Sequence, residues 1–141
     1  MRVGILLGGV QARSKDLEKI AKALARGLEK NKTPALVETF DMYQEMNKIC
    51  SYYDYLIIGS ESLTFFGGKI PSVVSQFLGN AGSLSGKRCL AFISKKGMRK
   101  VKTLQVLMKA MESEGMYIKN SDIISNENLA FVLGKRLVLE Q

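Results

Sequence analysis

The sequence predicts an α/β fold: a three-layer α/β/α sandwich in which helices cover both faces of one five-stranded parallel sheet, with residues 1–141 forming a single domain. Three observations carry that expectation. Short apolar runs at 2–8, 55–59 and 88–93 are too brief for stable helices and are continuous rather than alternating, as strands buried on both faces require. Between the strands, apolar residues recur at three- and four-residue spacing, the mark of amphipathic helices. The two patterns alternate along the chain without a repeat or a linker, which calls for parallel pairing through right-handed crossovers.

Taken in order, residues 2–8 form the first strand. From 14 to 31, Leu17, Ile20, Ala21, Leu24 and Leu28 share one helical face, Ser14 stands at the N-cap position and Asp16 suits the first turn. Asn31 and Pro34 end that helix, and 35–40 is the second strand. A short helix is expected over 41–50. The third strand, 55–59, runs into the polar loop Ser60-Glu61-Ser62. A helix over 71–78 begins at Pro71, where a missing N–H costs nothing. A Gly/Ser-rich turn over 79–86 leads to the fourth strand, 88–93. The next helix, 101–111, is expected to turn Val101, Leu104, Met108 and Met111 inward, with Gly115 as its stop. A strand over 117–124 and a helix over 126–137, with Leu129, Val132 and Leu133 inward, complete five βα units.

Composition removes several chemistries. The chain has no histidine, so Ser-His and Cys-His nucleophilic pairs and the commonest transition-metal ligand are excluded. Its two cysteines, Cys50 and Cys89, make neither a disulfide framework nor a zinc site, and Cys89 lies within an apolar run as a small core residue. No apolar run approaches the ~20 residues a membrane helix requires. The opening stretch reads as a buried strand rather than an export signal, because Ala12-Arg13-Ser14-Lys15 stands where a small-residue cleavage site would lie. The expected address is therefore the cytoplasm, with no membrane partner. Lys and Arg total 21 against 13 Asp and Glu, a formal charge of +8 that favours anionic partners. Lys15, Lys19, Lys22, Arg26 and Lys30 recur at helical spacing and read as a solvated face.

In an open parallel sheet, ligands bind beyond the carboxyl ends of the strands where the strand order reverses. Three loops reach that edge. The first, Gly8-Gly9-Val10-Gln11-Ala12-Arg13-Ser14-Lys15, enters a helix whose free N–H groups can hold an anion; Arg13 adds a guanidinium and Ser14 a hydroxyl. It is neither a Walker loop nor Gly-x-Gly-x-x-Gly, and a plain strand-to-helix turn explains it equally well. The second, residues 59–71, holds Phe65, Phe66, Gly67 and Gly68, which suit stacking on a planar ligand; at least one phenylalanine is expected in the core, and exposure of the other decides the matter. The third, Ser94-Lys95-Lys96-Gly97-Met98-Arg99-Lys100, reads equally as an anion-attracting patch or a solvated loop. Aromatics are not interleaved with its cations and no RNA or DNA motif accompanies them, so nucleic acid is a weak reading.

Tyr53-Asp54-Tyr55-Leu56-Ile57-Ile58-Gly59-Ser60, followed by Phe66-Gly67-Gly68-Lys69-Ile70-Pro71, resembles the third strand and aromatic-Gly loop of the short-chain flavodoxin family. Leu84-Ser85-Gly86-Lys87-Arg88 is similar to the family's Leu-x-Gly-Lys lead-in to strand four, and the resemblance spans nearly the whole chain. It implies strand order 2-1-3-4-5 and non-covalently held FMN serving electron transfer or a small flavin-dependent reduction, with protein supplying position and cofactor supplying chemistry. On that basis Gly9, Gln11, Ala12, Arg13, Ser14 and Lys15 would take the phosphate. Phe65, Phe66, Gly67 and Met98 would line the ring, and Ser60, Glu61, Ser62, Ser94, Lys95 and Gly97 would meet its polar edge.

The family's Ser/Thr-x-Thr-Gly-x-Thr phosphate loop is matched by Gly9-Val10-Gln11-Ala12-Arg13-Ser14, which keeps only the Ser14 hydroxyl in place. Each lost hydroxyl contact forfeits roughly 0.5–1.5 kcal/mol. Glu61 replaces a common proline, and the basic charge is opposite to that of electron-carrier flavodoxins, so a redox partner would need an acidic face. The alternative reading is a flavodoxin-like scaffold that has lost FMN and binds an anionic, phosphate-bearing ligand or an acidic regulatory protein. An enzyme on the same scaffold is a third reading, for which no paired carboxylates or activated nucleophile stands out.

Overall fold

The computed structural model describes residues 1–94 and 97–140. Its elements run β1 (Arg2–Gly8), α1 (Lys15–Glu29), β2 (Leu36–Asp41), β3 (Tyr55–Ser60), α2 (Ser72–Gly79), β4 (Arg88–Ser94), α3 (Lys100–Glu112), β5 (Tyr117–Ile124) and α4 (Glu127–Arg136). The strands pair in parallel in the order β2-β1-β3-β4-β5, as the resemblance implies. Strand order reverses between β1 and β3, so the loops after these strands flank one crevice.

Two apolar cores sandwich the sheet. On one face Val3, Ile5, Leu7, Ile57 and Phe92 pack against Leu17, Leu24 and Leu28 of α1 and Ala130 of α4. On the other, Leu6, Ile58 and Ala91 meet Val74 and Phe77 of α2 and Leu104, Leu107 and Met111 of α3. All six residues of β3 are buried, as are those of β1 and β4 past their first, which explains their uninterrupted apolar runs. The edge strands differ from that expectation. Leu36 of β2 and Tyr117 of β5 are exposed, because an edge strand has fewer neighbours and half-covered faces.

The helix expected over 41–50 does not form. After β2 the chain makes turns, and its polar groups are drawn elsewhere: the Tyr43 N–H donates to Asp41 Oδ1 at 2.9 Å and the Cys50 N–H to the Ala81 carbonyl at 2.7 Å. Asp41 nucleates a local side-chain turn that competes with helix formation. The inward faces of two helices also shift. In α3, Val101 is exposed and Leu107 is buried, Val101 lying in the first turn above the sheet's edge. In α4, Leu129 and Val132 are exposed, Leu133 is half-buried, and Ala130 and Gly134 face inward.

The small residues of α4 have a geometric cause. A Cβ on Gly134 would lie 2.5 Å from the Leu24 carbonyl oxygen, and one on Gly27 would lie 2.2 Å from that of Phe131. The backbones of α1 and α4 touch there, so the contact selects glycine and turns the larger α4 side chains outward. In α1 the inward face is the one expected, and Lys15, Lys19, Lys22, Arg26 and Lys30 are all exposed. Both cysteines are free and buried, and burial holds the Cys50 thiol up to about 11 and that of Cys89 up to about 12. Among the described residues no helix is long and apolar enough to cross a membrane, and no cluster of ligating side chains could hold a metal ion.

Candidate functional site

The first loop leaves β1 at Gly8 and enters α1 at Lys15. Gly9 is buried, because a Cβ there would stand 2.6 Å from Glu61 Oε2 and 2.7 Å from the Ser14 Cβ. Gln11, Ala12, Arg13 and Lys15 are exposed, and Ser14 occupies the N-cap position with no side-chain capping bond. Arg13 adopts a left-handed backbone (φ 58°), a conformation costing a non-glycine residue roughly 1–2 kcal/mol. Its guanidinium reaches Glu18, with Nε 3.6 Å from Oε1.

Two of this loop's backbone donors serve carboxylates of the chain itself. The Val10 N–H donates to Glu61 Oε2 at 2.8 Å, and the Arg13 N–H donates to Asp41 Oδ2. Glu61 is only 1% exposed. Asp41 also accepts from the Tyr43 N–H, and the Tyr43 hydroxyl donates back to the Gly9 carbonyl at 2.7 Å. Burial, then the charges of Asp41 and Glu61, push the Tyr43 phenol up. The hollow at the start of α1 measures about 340 Å³, and its wall carries Arg13, Ser14 and Lys15 together with Asp16 and Glu61.

This arrangement does not fit an FMN phosphate. Two of the loop's donors, the Val10 and Arg13 N–H groups, are engaged, and a buried carboxylate stands in the wall of the hollow that would take the dianion. At 4 Å each pair of like unit charges costs about 4 kcal/mol in an environment of effective dielectric near 20. Arg13, Lys15 and Asp16 are all exposed, so solvent screens their charges alike and leaves the buried Glu61 as the least screened charge at the hollow.

The second and third loops are joined. Neither phenylalanine enters the core: Phe65 is 71% exposed and Phe66 69%, correcting the expectation that one would be buried. Their rings meet edge to face at 5.9 Å. Beneath them the backbone is pinned. The Met98 N–H donates to the Phe65 carbonyl at 2.7 Å, Arg99 Nε to that of Phe66 at 3.0 Å, and the Gly68 N–H to Thr103 Oγ1 at 2.8 Å. Gly67 has φ 78°, and a Cβ on it would lie 1.9 Å from the Met98 carbonyl oxygen, so only glycine permits the loops to meet. Ser60 and Ser62 are buried and satisfied locally, donating to the carbonyls of Gly8 and Thr64.

Met98 is half exposed and joins the phenylalanines, and Gly97 borders a hollow of about 150 Å³ with Val10, Leu63 and Phe65. Ser94 does not join them. It is buried, its hydroxyl has no hydrogen-bond partner among the described residues, and it borders a hollow with Lys19 and Asn126 on the α1/α4 side. Lys95, expected at the polar edge, and Lys96 lie outside the described residues. Sequence reasoning missed Asp41, Tyr43 and Thr103, and read Arg99 only as a cation of the third loop, not as a tie to the second. An Asp ending an apolar strand is a turn signal that foretells the first two; nothing local foretells Arg99 and Thr103, whose partners come from another loop. Lys87 of the Gly-Lys lead-in ties the chain before β3, its ammonium donating to the carbonyls of Ser51 and Tyr53.

No protein-family model matches the chain, and no curated protein matches it. Solved structures do. Oxidised flavodoxin 1 from Bacillus cereus is 16% identical, with TM-score 0.71 and 95% of each chain covered. Two-electron-reduced flavodoxin from Megasphaera elsdenii is 19% identical, with TM-score 0.70, covering 94% of this chain and 96% of that one. An archaeal flavodoxin is 17% identical, with TM-score 0.67, covering 96% and 94%. At these identities the likeness establishes the fold, which is flavodoxin-like.

Proposed function

We propose that this chain is a flavodoxin-like binding module that recognises an anionic ligand or an acidic protein, and that it does not hold FMN through the phosphate loop. The observation that carries this reading is the buried Glu61 carboxylate accepting the Val10 N–H. The basic charge of the chain supplies the preference for an anionic partner.

A second reading, FMN-dependent electron transfer or reduction with an acidic redox partner, is favoured by the exposed Phe65 and Phe66 at the sheet's carboxyl edge. One measurement separates the two: the absorbance spectrum of the purified protein, followed by titration into FMN with flavin fluorescence as the readout. The expected outcome is colourless protein and undiminished fluorescence at concentrations that fill a micromolar site. Flavin bands or saturable quenching would overturn the binding-module reading in favour of the second.

A further inference from the structure

The chain's charge is concentrated. Residues 62–111 contain nine of its 21 basic residues and none of its 13 acidic ones, so the rest of the protein is close to neutral. Within that stretch Lys69, Arg99, Lys100 and Lys102 lie in or beside the joined second and third loops. The Lys102 Cγ would be 3.4 Å from a Cβ on Gly68, which places this lysine against the aromatic loop.

The same edge exposes Leu63, Phe65, Phe66, Met98 and Val101. Large apolar residues grouped in this way, rimmed by charge, mark an interaction surface rather than ordinary surface scatter. They are also held in place. Besides the bonds between the loops, the Leu63 N–H donates to the Lys69 carbonyl at 2.8 Å and the Gly67 N–H to that of Thr64 at 3.1 Å. A pinned loop loses little conformational entropy on docking, so its aromatic rings act as preorganised anchors.

We propose that this face docks an acidic segment of another protein, which sets a large apolar side chain into the hollow bordered by Val10, Leu63, Phe65 and Gly97 while its carboxylates meet the surrounding cations. The hollow of about 150 Å³ beside projecting rings favours a side-chain knob over a lipid surface, which offers no knob. Face-to-face pairing of two copies is disfavoured because each face carries the same charge. The inference deepens the binding-module reading and rests on it for one premise, that no flavin covers this face.

The test is to pan the full chain against a random-peptide phage library, synthesise the enriched peptides with a fluorophore, and measure anisotropy. Enriched peptides should carry net negative charge around an aromatic or aliphatic residue. Their affinity should fall at least about tenfold in the Phe65→Ser/Phe66→Ser variant and comparably in Lys100→Glu/Lys102→Glu. Circular dichroism should show both variants folded, since the four side chains lie in no core cluster. Serine in place of the peptide's apolar residue should weaken binding as much as the phenylalanine change does. Absence of enrichment, enrichment of peptides without acidic residues, indifference to the phenylalanines, or stronger partition onto phosphatidylserine vesicles than onto any peptide would each overturn the proposal. Flavin titration reads the other premise separately. Peptide binding that FMN does not displace, by a chain that also takes FMN, would retain the face and remove the binding-module reading; peptide displaced by FMN would overturn both; neither ligand binding would remove the face alone.

Discussion

Glu61 governs the first loop because it combines burial, charge and a hydrogen bond to a helix-entry donor. An amide N–H at such a terminus is a strong donor to any anion, and a carboxylate tethered in the same molecule competes with a free phosphate at high effective concentration. Replacing Glu61 with Ser removes both the competitor and the like charge. Glu61→Ser should therefore raise affinity for FMN, or for inorganic phosphate followed by calorimetry, by at least about tenfold. Unchanged affinity would show that the missing hydroxyls, not the carboxylate, close the loop. The sequence displayed Glu61 as a departure from the family's proline, but not the direction of its side chain. Direction follows from Gly9, whose missing Cβ makes room for the carboxylate, and a contact across 52 positions of sequence leaves no local pattern.

The α1–α4 contact shows how one backbone approach decides an element's exposed face. Gly27 and Gly134 meet backbone, not the ends of flexible side chains, so an added methyl can be accommodated only by parting the helices. Alanine normally favours a helix over glycine by up to about 1 kcal/mol, whereas overpacking costs about 1–3 kcal/mol; here the clash should dominate. Gly134→Ala should lower stability by about 2 kcal/mol, read as a reduced urea midpoint with unchanged slope. Gly79→Ala at the end of α2, where an added Cβ meets nothing within 4 Å, should leave stability equal or slightly higher. Equal responses at the two sites would refute the close-contact account. Periodicity located α1 and its inward face correctly because that face is set by large apolar residues. It misplaced the inward face of α4, where the contact is made by Ala130 and Gly134, residues that register weakly in any hydrophobic pattern.

Over the whole molecule, the parallel sheet and its buried central strands were legible in continuous apolar runs between helices, whereas the strand order was legible only through the family resemblance. The buried thiols set an alkaline limit on the stability of the whole fold. Cys50 is held up to about 11 and Cys89 to about 12 from an ordinary value of 9.0, chiefly by burial. Above pH 9 the unfolded chain releases these protons while the native state retains them, so stability present below pH 9 is lost as pH rises through 11 to 12. Two pKa units correspond to about 3 kcal/mol for one thiol. The urea midpoint should therefore hold steady from neutrality to pH 9 and decline above it. In Cys50→Ala/Cys89→Ala the midpoint should start lower, from lost core contacts, but fall less steeply over the same window. Equal slopes in the two proteins would assign the alkaline decline to Tyr53 and Tyr55, which burial also pushes up and which sit in opposite cores.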